Sequence, residues 1–445
     1  MEERREEAPA EVLRDEAKQA GEIRARWAWA EPAVWTDRML TALEQGVKGG
    51  VWYSLWDKSS ALRTLAAGFE RVRSNKGAAG VDHVTTVKFE ERLGENLTRL
   101  EAELHDGRYR PQPVKRVWIP KPGSAEKRPL GIPTVRDRVV QTALRATLEP
   151  IFEREFAEHS YGFRPGRGCK DALRRVESLL KGGHTWVVDA DLRKYFDSIP
   201  HEALMERVRS RVGDGRVLAL VEGFLKQGIL EDLELWEPEE GTPQGAVISP
   251  LLSNLYLDPL DHAMAAAGVE MVRYADDFVL LCRSEADASA ALERVRQWTA
   301  QAGLTLHPEK TRIVDARLRG GFDFLGYHFE RGMRWPRKKS IAKFRDSIRA
   351  KTRRSNGHSL RDIVTEVNLT LRGWYGYFKH SHRTTFPRLD GWVRRRLRGI
   401  LRKRMKRPGM SKAGDHYIWP NAFFDRQGLF SLKAAHAGER QSLPR

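Results

Sequence analysis

The tetrapeptide Tyr-Ala-Asp-Asp at 274–277 constrains the fold more than any other feature of the sequence. Largely apolar runs, 269–272 and 278–281, flank it. Two such runs joined by a short acidic segment predict a β-hairpin with paired carboxylates at its tip. On spacing alone, an Asp-Asp pair between strands is more often a solvated turn than a site of chemistry.

A third carboxylate, Asp191, ends the apolar run 186–190 and would give the hairpin a partner. Mg²⁺ prefers oxygen ligands at about 2.1 Å, and two ions about 4 Å apart suit an in-line nucleotidyl transfer. The predicted catalytic and metal-binding residues are therefore Asp191, Asp276 and Asp277, with two Mg²⁺ ions as cofactor. Asp189 would share a strand face with Asp191, so spacing alone does not exclude it. Asp197 is a second competitor.

Eight short motifs surround and include this segment. They are RPLGIP at 128–133, YGFRP at 161–165, DLRKYFD at 191–197, GTPQG at 241–245, SPLLSN at 249–254, YADD at 274–277, GLTLHPEKT at 303–311 and FLGY at 324–327. With these motifs the chain resembles the bacterial group II intron reverse transcriptases from about residue 55 to 435. The resemblance implies a right-hand polymerase and places the first catalytic carboxylate at Asp191.

The expected fold class is α+β, with fingers and a palm built on an antiparallel sheet, followed by an all-α basic thumb or maturase domain. Periodicity predicts helices at 84–112, 135–158, 201–228 and 284–302, and strands at 114–120, 186–191, 270–274 and 278–282. Five regions are expected: a charged helical leader (1–54), fingers with their N-terminal extension (55–186), a palm including some fingers elements (187–333), the thumb (334–412) and a C-terminal tail (413–445).

Five residues match positions that the family uses for the incoming nucleotide. The resemblance implies that Lys121 and Arg128 clamp the triphosphate, with Arg as a planar fork and Lys as a point charge. It implies that Phe196 is a steric gate against a ribose 2′-hydroxyl and that Gln244 lies beside the nascent base pair. Lys310 is assigned to the pyrophosphate side.

The positive charge is concentrated in the predicted thumb. The chain has a net charge of +18, and residues 334–412 alone hold 25 Lys or Arg against four acids. A basic surplus in one segment predicts a polyanion-binding module, with a merely solvated basic face as the alternative. The predicted nucleic-acid-binding residues are Arg372, Trp374, Arg394, Arg395, Arg396, Arg402, Lys403 and Arg404.

Segment 371–378, LRGWYGYF, resembles the maturase signature, and several of its aromatic residues are expected in the core of a helical bundle. The cationic face around it suits structured intron RNA and the phosphates of an RNA template paired with a DNA primer. His380 and His382 have the spacing of metal ligands but no partners, and are interpreted as structural or RNA-facing.

Composition excludes several other classes of protein. Two distant cysteines, Cys169 and Cys282, provide neither a disulfide framework nor a cysteine-rich zinc site, and they suit a reducing cytoplasm. The N-terminal residues have no apolar core, so we expect no signal peptide, and the sequence has no apolar run of about 20 residues. We expect a soluble protein of the bacterial cytoplasm with no membrane partner. We also expect no endonuclease domain, because neither cysteine pairs nor enough residues follow the thumb.

The leading hypothesis is an RNA-directed DNA polymerase that extends a primer with dNTPs on an RNA template and, as a maturase, assists splicing of its own intron RNA. A domesticated reverse transcriptase acting in DNA repair or phage defence would need the same palm. A non-enzymatic RNA-binding splicing cofactor would retain every activity after Asp276→Ala. An RNA-dependent RNA polymerase is disfavoured by Phe196.

Overall fold

The computed structural model describes residues 21–120, 127–231, 234–236, 238, 240–242, 244–407, 409 and 411–441. Lys121, one of the two residues predicted to clamp the triphosphate, lies outside the described residues. So does the charged first part of the predicted leader, residues 1–20.

The described residues contain helices throughout and three small sheets. The helices are α1 (21–26), α2 (Asp37–Gln45), α3 (Trp56–Ser59), α4 (Leu62–Ser74), α5 (Thr86–Glu90), α6 (Leu93–His105), α7 (Val135–Glu153), α8 (Cys169–Lys181), α9 (His201–Arg209), α10 (Gly215–Leu225), α11 (Ser249–Ala266), α12 (Glu285–Gln301), α13 (Lys338–Lys351), α14 (Leu360–Phe378), α15 (Thr385–Arg404), α16 (Asp415–Ile418), α17 (Asn421–Arg426) and α18 (Leu432–Gln441). Short 3₁₀ turns lie at Lys48–Gly50 and Tyr195–Asp197.

The strands form a fingers sheet, a palm sheet and a third sheet between the palm and the thumb. They are β1 (Val114–Pro120), β2 (Lys127–Ile132), β3 (Trp186–Asp191), β4 (Ile229–Glu231), β5 (Glu234–Trp236), β6 (Glu270–Tyr274), β7 (Asp277–Cys282), β8 (Arg312–Asp315), β9 (Phe322–Phe324), β10 (Tyr327–Glu330) and β11 (Met333–Pro336). The fingers sheet has the order β2-β1-β4-β5, the palm sheet β6-β7-β3-β8, and the third sheet β11-β10-β9.

The palm sheet is antiparallel and buried on both faces, which explains why each of its strands contains consecutive apolar residues. Val188 and Leu280 face the large core shared with the fingers. Val187 and Leu281 face a second core that includes residues of α8 and of the third sheet. This arrangement, followed by a helical C-terminal domain, confirms the predicted α+β fold class.

Two predicted helices are broken in the structure, each for a local reason. Region 84–112 divides into α5 and α6 because Arg92 leaves the helical conformation, with φ −128° and ψ 43°. Region 201–228 divides into α9 and α10 because Asp214 caps α10, accepting hydrogen bonds from the amides of Arg216 and Val217. The same carboxylate accepts from the amides of Leu55 and Trp56, so the break also attaches α3.

The described part of the leader belongs to the fingers core rather than forming a separate element. Val34 and Trp35 are completely buried, and the indole Nε1 of Trp35 donates to the carbonyl oxygen of Ala146 in α7 at 3.0 Å. Burying an aromatic ring of this size stabilises the packing substantially. The leader is therefore structurally continuous with residues beyond the boundary predicted at 54.

The tail likewise completes the thumb. Trp419, Phe424 and Leu432 are buried in one core with residues of α13, α14 and α15. Asp390 of α15 accepts from the amide of Leu432 at 3.0 Å and so fixes the start of α18. The boundary predicted between 333 and 334 falls inside β11, so the third sheet links the palm to the thumb.

Tyrosine side chains hold the thumb against the third sheet. The hydroxyl of Tyr327 donates to the carbonyl oxygen of Tyr377 at 2.6 Å. The hydroxyl of Tyr377 donates to the carbonyl oxygen of Leu325 at 2.7 Å. Tyr274 and Phe378 belong to the same apolar cluster. The maturase signature therefore packs against the palm directly behind the acidic hairpin. Across the described ranges, no helix is long and apolar enough to cross a bilayer.

Candidate active site

The predicted hairpin is present, and its register aligns the acidic residues. Strands β6 and β7 pair up to Tyr274 and Asp277, with Ala275 and Asp276 in the turn between them. Strand β3 is the other neighbour of β7, and Asp191 lies directly opposite Asp277. Since opposite residues in an antiparallel pair project to the same face, these two carboxylates are neighbours.

The structure distinguishes Asp191 from its competitor two residues earlier. Asp189 lies between Val279 and Arg312 in the register, and Arg312 donates to its carboxylate at 3.3 Å. Asp191 and Asp276, but not Asp189, line a cavity of about 610 Å³ between the fingers and palm. The geometry therefore favours Asp191, the residue that the family resemblance implied.

Burial and mutual repulsion raise the pKa values of the acidic cluster. Burial, and then the charges of Asp276, Asp189 and Asp191, raise the pKa of Asp277 to about 7. Burial is also the main cause of the raised pKa of Asp276, and the charge of Asp191 adds to it. Carboxylates that repel one another in this way are a suitable environment for divalent cations, which would neutralise them.

Lys310 supplies a positive charge at the edge of this cluster. Its Nζ lies 2.5 Å from Oδ2 of Asp191. In the part of the chain that the structure describes, no three His, Cys, Asp or Glu side chains already converge as a metal site. A cation bound at Asp191 would therefore compete with Lys310 for this carboxylate.

The cavity brings together most of the residues predicted for catalysis and nucleotide binding. Those that line it are Arg128, Asp191, Phe196, Gln244, Asp276 and Lys310. Asp277 is not among the lining residues and lies beside Asp191 in the palm sheet. Fingers and palm elements thus meet around one space large enough for a nucleotide.

Backbone contacts hold the fingers and palm walls of the cavity together. The amide of Gly131 in β2 donates to the carbonyl oxygen of Gln244 at 2.6 Å, and the amide of Thr242 donates to that of Phe196 at 2.6 Å. Gly245 has φ +111°, and a Cβ there would lie 2.4 Å from the carbonyl oxygen of Gly131. Only glycine allows this close approach between the Gln244 loop and β2.

A buried arginine that the sequence analysis did not identify fixes the acidic turn. Arg273 is completely buried, and its guanidinium donates to both carboxylate oxygens of Asp261. Its Nη1 also donates to Oδ1 of Asn254 at 2.9 Å and to the carbonyl oxygen of Ala275 at 3.0 Å. Ala275 has φ +60°, a left-handed conformation that costs a residue with a Cβ about 1–2 kcal/mol. Arg273 therefore stabilises the strained residue that precedes Asp276.

Gly162 packs closely against the same turn. A Cβ at this position would lie 2.2 Å from the amide nitrogen of Ala275, and the carbonyl oxygen of Gly162 accepts from Nδ2 of Asn254 at 2.8 Å. The YGFRP and SPLLSN motifs are thereby connected to the acidic hairpin. The sequence analysis identified both motifs among the eight, but only the structure shows that they contact the hairpin.

Four of the predicted RNA-binding residues of the thumb are exposed: Arg372, Arg395, Lys403 and Arg404. Two of these also make internal contacts, Arg372 over the ring of Phe430 and Arg404 with the carbonyl oxygen of His358, but both stay exposed. The other four are buried or half-buried and make internal contacts. Trp374 stacks on Phe378 with ring centroids 4.8 Å apart. Arg402 forms a buried ion pair with Asp415 at 2.9 Å.

The remaining two internal residues are Arg394, which pairs with Asp425 at 3.4 Å, and Arg396, which donates to the carbonyl oxygen of Thr352 at 2.8 Å. Charges and rings engaged in this way stabilise the thumb. They are therefore not part of the surface that we consider for RNA.

An acidic turn on an antiparallel palm sheet, facing a fingers sheet across a nucleotide-sized cavity, defines a right-hand nucleotidyltransferase. Comparison with known families agrees. Residues 119–329 match the family model described as reverse transcriptase (RNA-dependent DNA polymerase), and residues 341–418 match that of the group II intron maturase-specific domain. The chain belongs to the bacterial group II intron reverse transcriptase and maturase family, which confirms the predicted enzyme class, RNA-directed DNA polymerase.

Individual relatives share different portions of the chain. Protein YkfC of Escherichia coli is 35% identical over 348 residues, covering 69% of this chain and 86% of that protein. The group II intron-encoded protein LtrA of Lactococcus lactis is 40% identical over 195 residues, which span 43% of this chain but only 32% of LtrA. A solved partial Cas6-RT-Cas1–Cas2 complex aligns with TM-score 0.36 and 24% identity over 56% of this chain and 41% of that one. We draw nothing further from a score of this size.

Replacing Gly162 with Ala should displace the catalytic turn, because the new Cβ collides with the backbone of Ala275. We expect kcat for primer extension to fall by roughly a hundredfold, the effect of misplacing a catalytic group by about 1 Å. The dissociation constant for primer–template should not change. Gly168→Ala is the matched control, since its Cβ would meet nothing closer than 3.9 Å. Equal rates for both variants would contradict the supporting role of Gly162.

Proposed function

We propose that this protein copies RNA into DNA at the fingers–palm cavity and that its thumb binds a structured intron RNA and assists its splicing. The observation that carries the polymerase assignment is the register of β3, β7 and the acidic turn, which brings Asp191, Asp276 and Asp277 to one end of the palm sheet. Family membership supports the combination of the two activities.

We assign two Mg²⁺ ions to these three carboxylates, since hard oxygen donors under mutual repulsion suit that ion. When bound, the ions would lower the pKa of the primer 3′-hydroxyl and stabilise the charge of the departing pyrophosphate. Asp191 and Asp277 are aligned by the sheet, and Asp276 reaches the cavity from the turn.

The remaining lining residues suit a deoxynucleoside triphosphate. Arg128 offers a planar fork of donors to phosphate oxygens, and Lys310 offers a point charge beside Asp191. Phe196 is half-buried, its ring 5.4 Å from that of the buried Tyr195, so it cannot easily move away from a ribose 2′-hydroxyl. Gln244 is held against β2 and faces the same space. The proposed contact of Lys121 with the triphosphate is supported only by the family resemblance.

For RNA binding we retain the exposed cations Arg372, Arg395, Lys403 and Arg404. Phosphate contacts of this kind provide much of the affinity for nucleic acid and make it depend on salt.

We place this activity in the bacterial cytoplasm, because the sequence contains only two cysteines and the relatives include bacterial proteins. The non-enzymatic alternative is not favoured, because the acidic residues of the palm are intact. The domesticated alternative is not favoured, because a group II intron maturase-specific domain accompanies the polymerase domain.

Asp276→Asn should abolish primer extension while leaving RNA binding unchanged. The amide preserves the size of the side chain but removes a charge that the proposed metal site needs, so we expect the rate to fall on the order of a thousandfold. The measurement is single-nucleotide extension of a DNA primer on an RNA template, alongside the Kd for that duplex. Asp346→Asn, on the thumb surface, is the control. Undiminished extension by Asp276→Asn would refute the catalytic assignment.

Phe196→Ala should admit ribonucleotides, because the ring would no longer fill the space of the 2′-hydroxyl. We expect the ratio of kcat/KM for dNTPs to that for NTPs to fall by roughly a hundredfold. Phe196→Tyr preserves the ring and should keep the selectivity of the native protein. An unchanged ratio in Phe196→Ala would show that Phe196 is not the steric gate.

The maturase proposal is tested by sequencing the RNA that co-purifies with the protein from its native host. Enrichment of one structured intron is expected, whereas a heterogeneous pool would require withdrawal of the splicing role. Replacing Arg395, Lys403 and Arg404 together with Gln should then weaken binding of that intron and lower the slope of log K against log salt by about two. A control that replaces exposed cations outside the thumb, Arg99, Arg294 and Arg319, should bind as the native protein does.

A further inference from the structure

Two large aromatic side chains are exposed on the cavity side of the fingers sheet. Trp118 in β1 is 44% exposed and Trp236 in β5 is 40% exposed. Both line the same cavity as the catalytic carboxylates. Exposed apolar rings at the wall of a site commonly mark where a ligand is bound.

The sheet register explains why the two rings face the same space. Val114 of β1 pairs with Ile229 of β4, and Ile229 pairs with Trp236 of β5, so these three residues share a face of the sheet. Side chains alternate along a strand, which puts Arg116 and Trp118 on that face as well. The aromatic residues thus form one surface with Arg116 between them.

Polar and cation–π contacts fix this surface and leave the rings partly exposed. The guanidinium carbon of Arg116 lies 4.6 Å from the ring centroid of Trp236 and 5.9 Å from that of Trp118. Glu231 accepts from Nε1 of Trp118 at 2.5 Å and from Nη1 of Arg116 at 3.2 Å. The rings are therefore oriented in the free protein, so that a ligand would lose little entropy in ordering them.

Trp118 lies in β1, the direct neighbour of β2, so only the β5 side of this surface is remote from the residue proposed for the triphosphate. Arg128 lies in the edge strand β2, whereas Trp236 lies in β5 at the other edge of the sheet. Phosphates bound at Arg128 leave the β4–β5 side for a different part of the nucleic acid. Tryptophan faces with an adjacent arginine suit stacking on an unpaired base, whatever its identity.

We propose that Trp118 and Trp236, held by Arg116 and Glu231, form a stacking site for an unpaired base of the RNA template as it enters the cavity. This inference rests on the proposed polymerase function and names a binding subsite for its template strand. It assigns to one face of β1, β4 and β5 the task of ordering the single strand before the base is copied.

The test compares duplexes of a DNA primer with RNA templates that have either no overhang or four unpaired 5′ nucleotides. The native protein should bind the overhang duplex more tightly, by roughly tenfold for one stacked base. A template with abasic positions throughout the overhang should lose this gain. Trp118→Ala and Trp236→Ala should lose it too, whereas Trp118→Phe should keep most of it.

Tyr417→Ala provides a matched control, because this aromatic residue of α16 is 92% exposed and far along the chain in the thumb. It should leave the overhang gain unchanged. If the Trp→Ala variants retain the full gain, or if abasic overhangs bind as tightly as normal ones, the stacking site is refuted. If these variants instead raise the KM for dNTPs with an unchanged overhang gain, the surface binds the incoming base and the proposal is also overturned.

Binding of the overhang is measured without chemistry, so it is independent of the polymerase assignment. Asp276→Asn should show the native overhang gain although it cannot extend the primer. A native protein that extends no primer would refute the proposed function, and the overhang measurement would still decide whether the tryptophan pair binds single-stranded RNA.

Discussion

The buried ion pair between Arg273 and Asp261 is the interaction on which the candidate site most depends. Removing an arginine from water is costly, and here the cost is offset by a bidentate carboxylate and two further acceptors. One of those acceptors is the carbonyl oxygen of Ala275, so the guanidinium that pairs with the buried Asp261 also stabilises a strained turn. The acidic residues are positioned by a network inside the palm and not by the hairpin alone.

In both the palm and the fingers, a glycine lets two backbone segments lie close together. Gly162 lets one chain segment lie against the acidic turn, and Gly245 lets the Gln244 loop lie against β2. In both places a Cβ would enter space already filled by backbone. The cavity is therefore defined by main-chain contacts, and the side chains that line it can be specialised for ligand binding without also supporting the fold.

The sequence best predicted the strands that are buried on both faces. It was least informative about contacts between segments that are distant in the chain. Strands at 186–191 and 270–274 were predicted correctly because both faces of the palm sheet are buried and each run has apolar residues at its centre. The breaks at Arg92 and Asp214 interrupt patterns that periodicity reads as single helices. Arg273 could not be assigned from sequence, since its partners Asn254 and Asp261 come from another element. Charge patterning likewise could not show that the tail would bury Arg402.

The contacts between the maturase signature and the third sheet have a mechanical consequence. Tyr327, Tyr377 and Phe378 join α14 to the palm through hydrogen bonds and packed rings, in the same cluster that contains Tyr274. A packed junction of this kind resists bending, because any rotation would separate close-packed side chains. If RNA binds on the outer surface of the thumb as proposed, these contacts would hold it at a set distance from the point where a primer end would be extended.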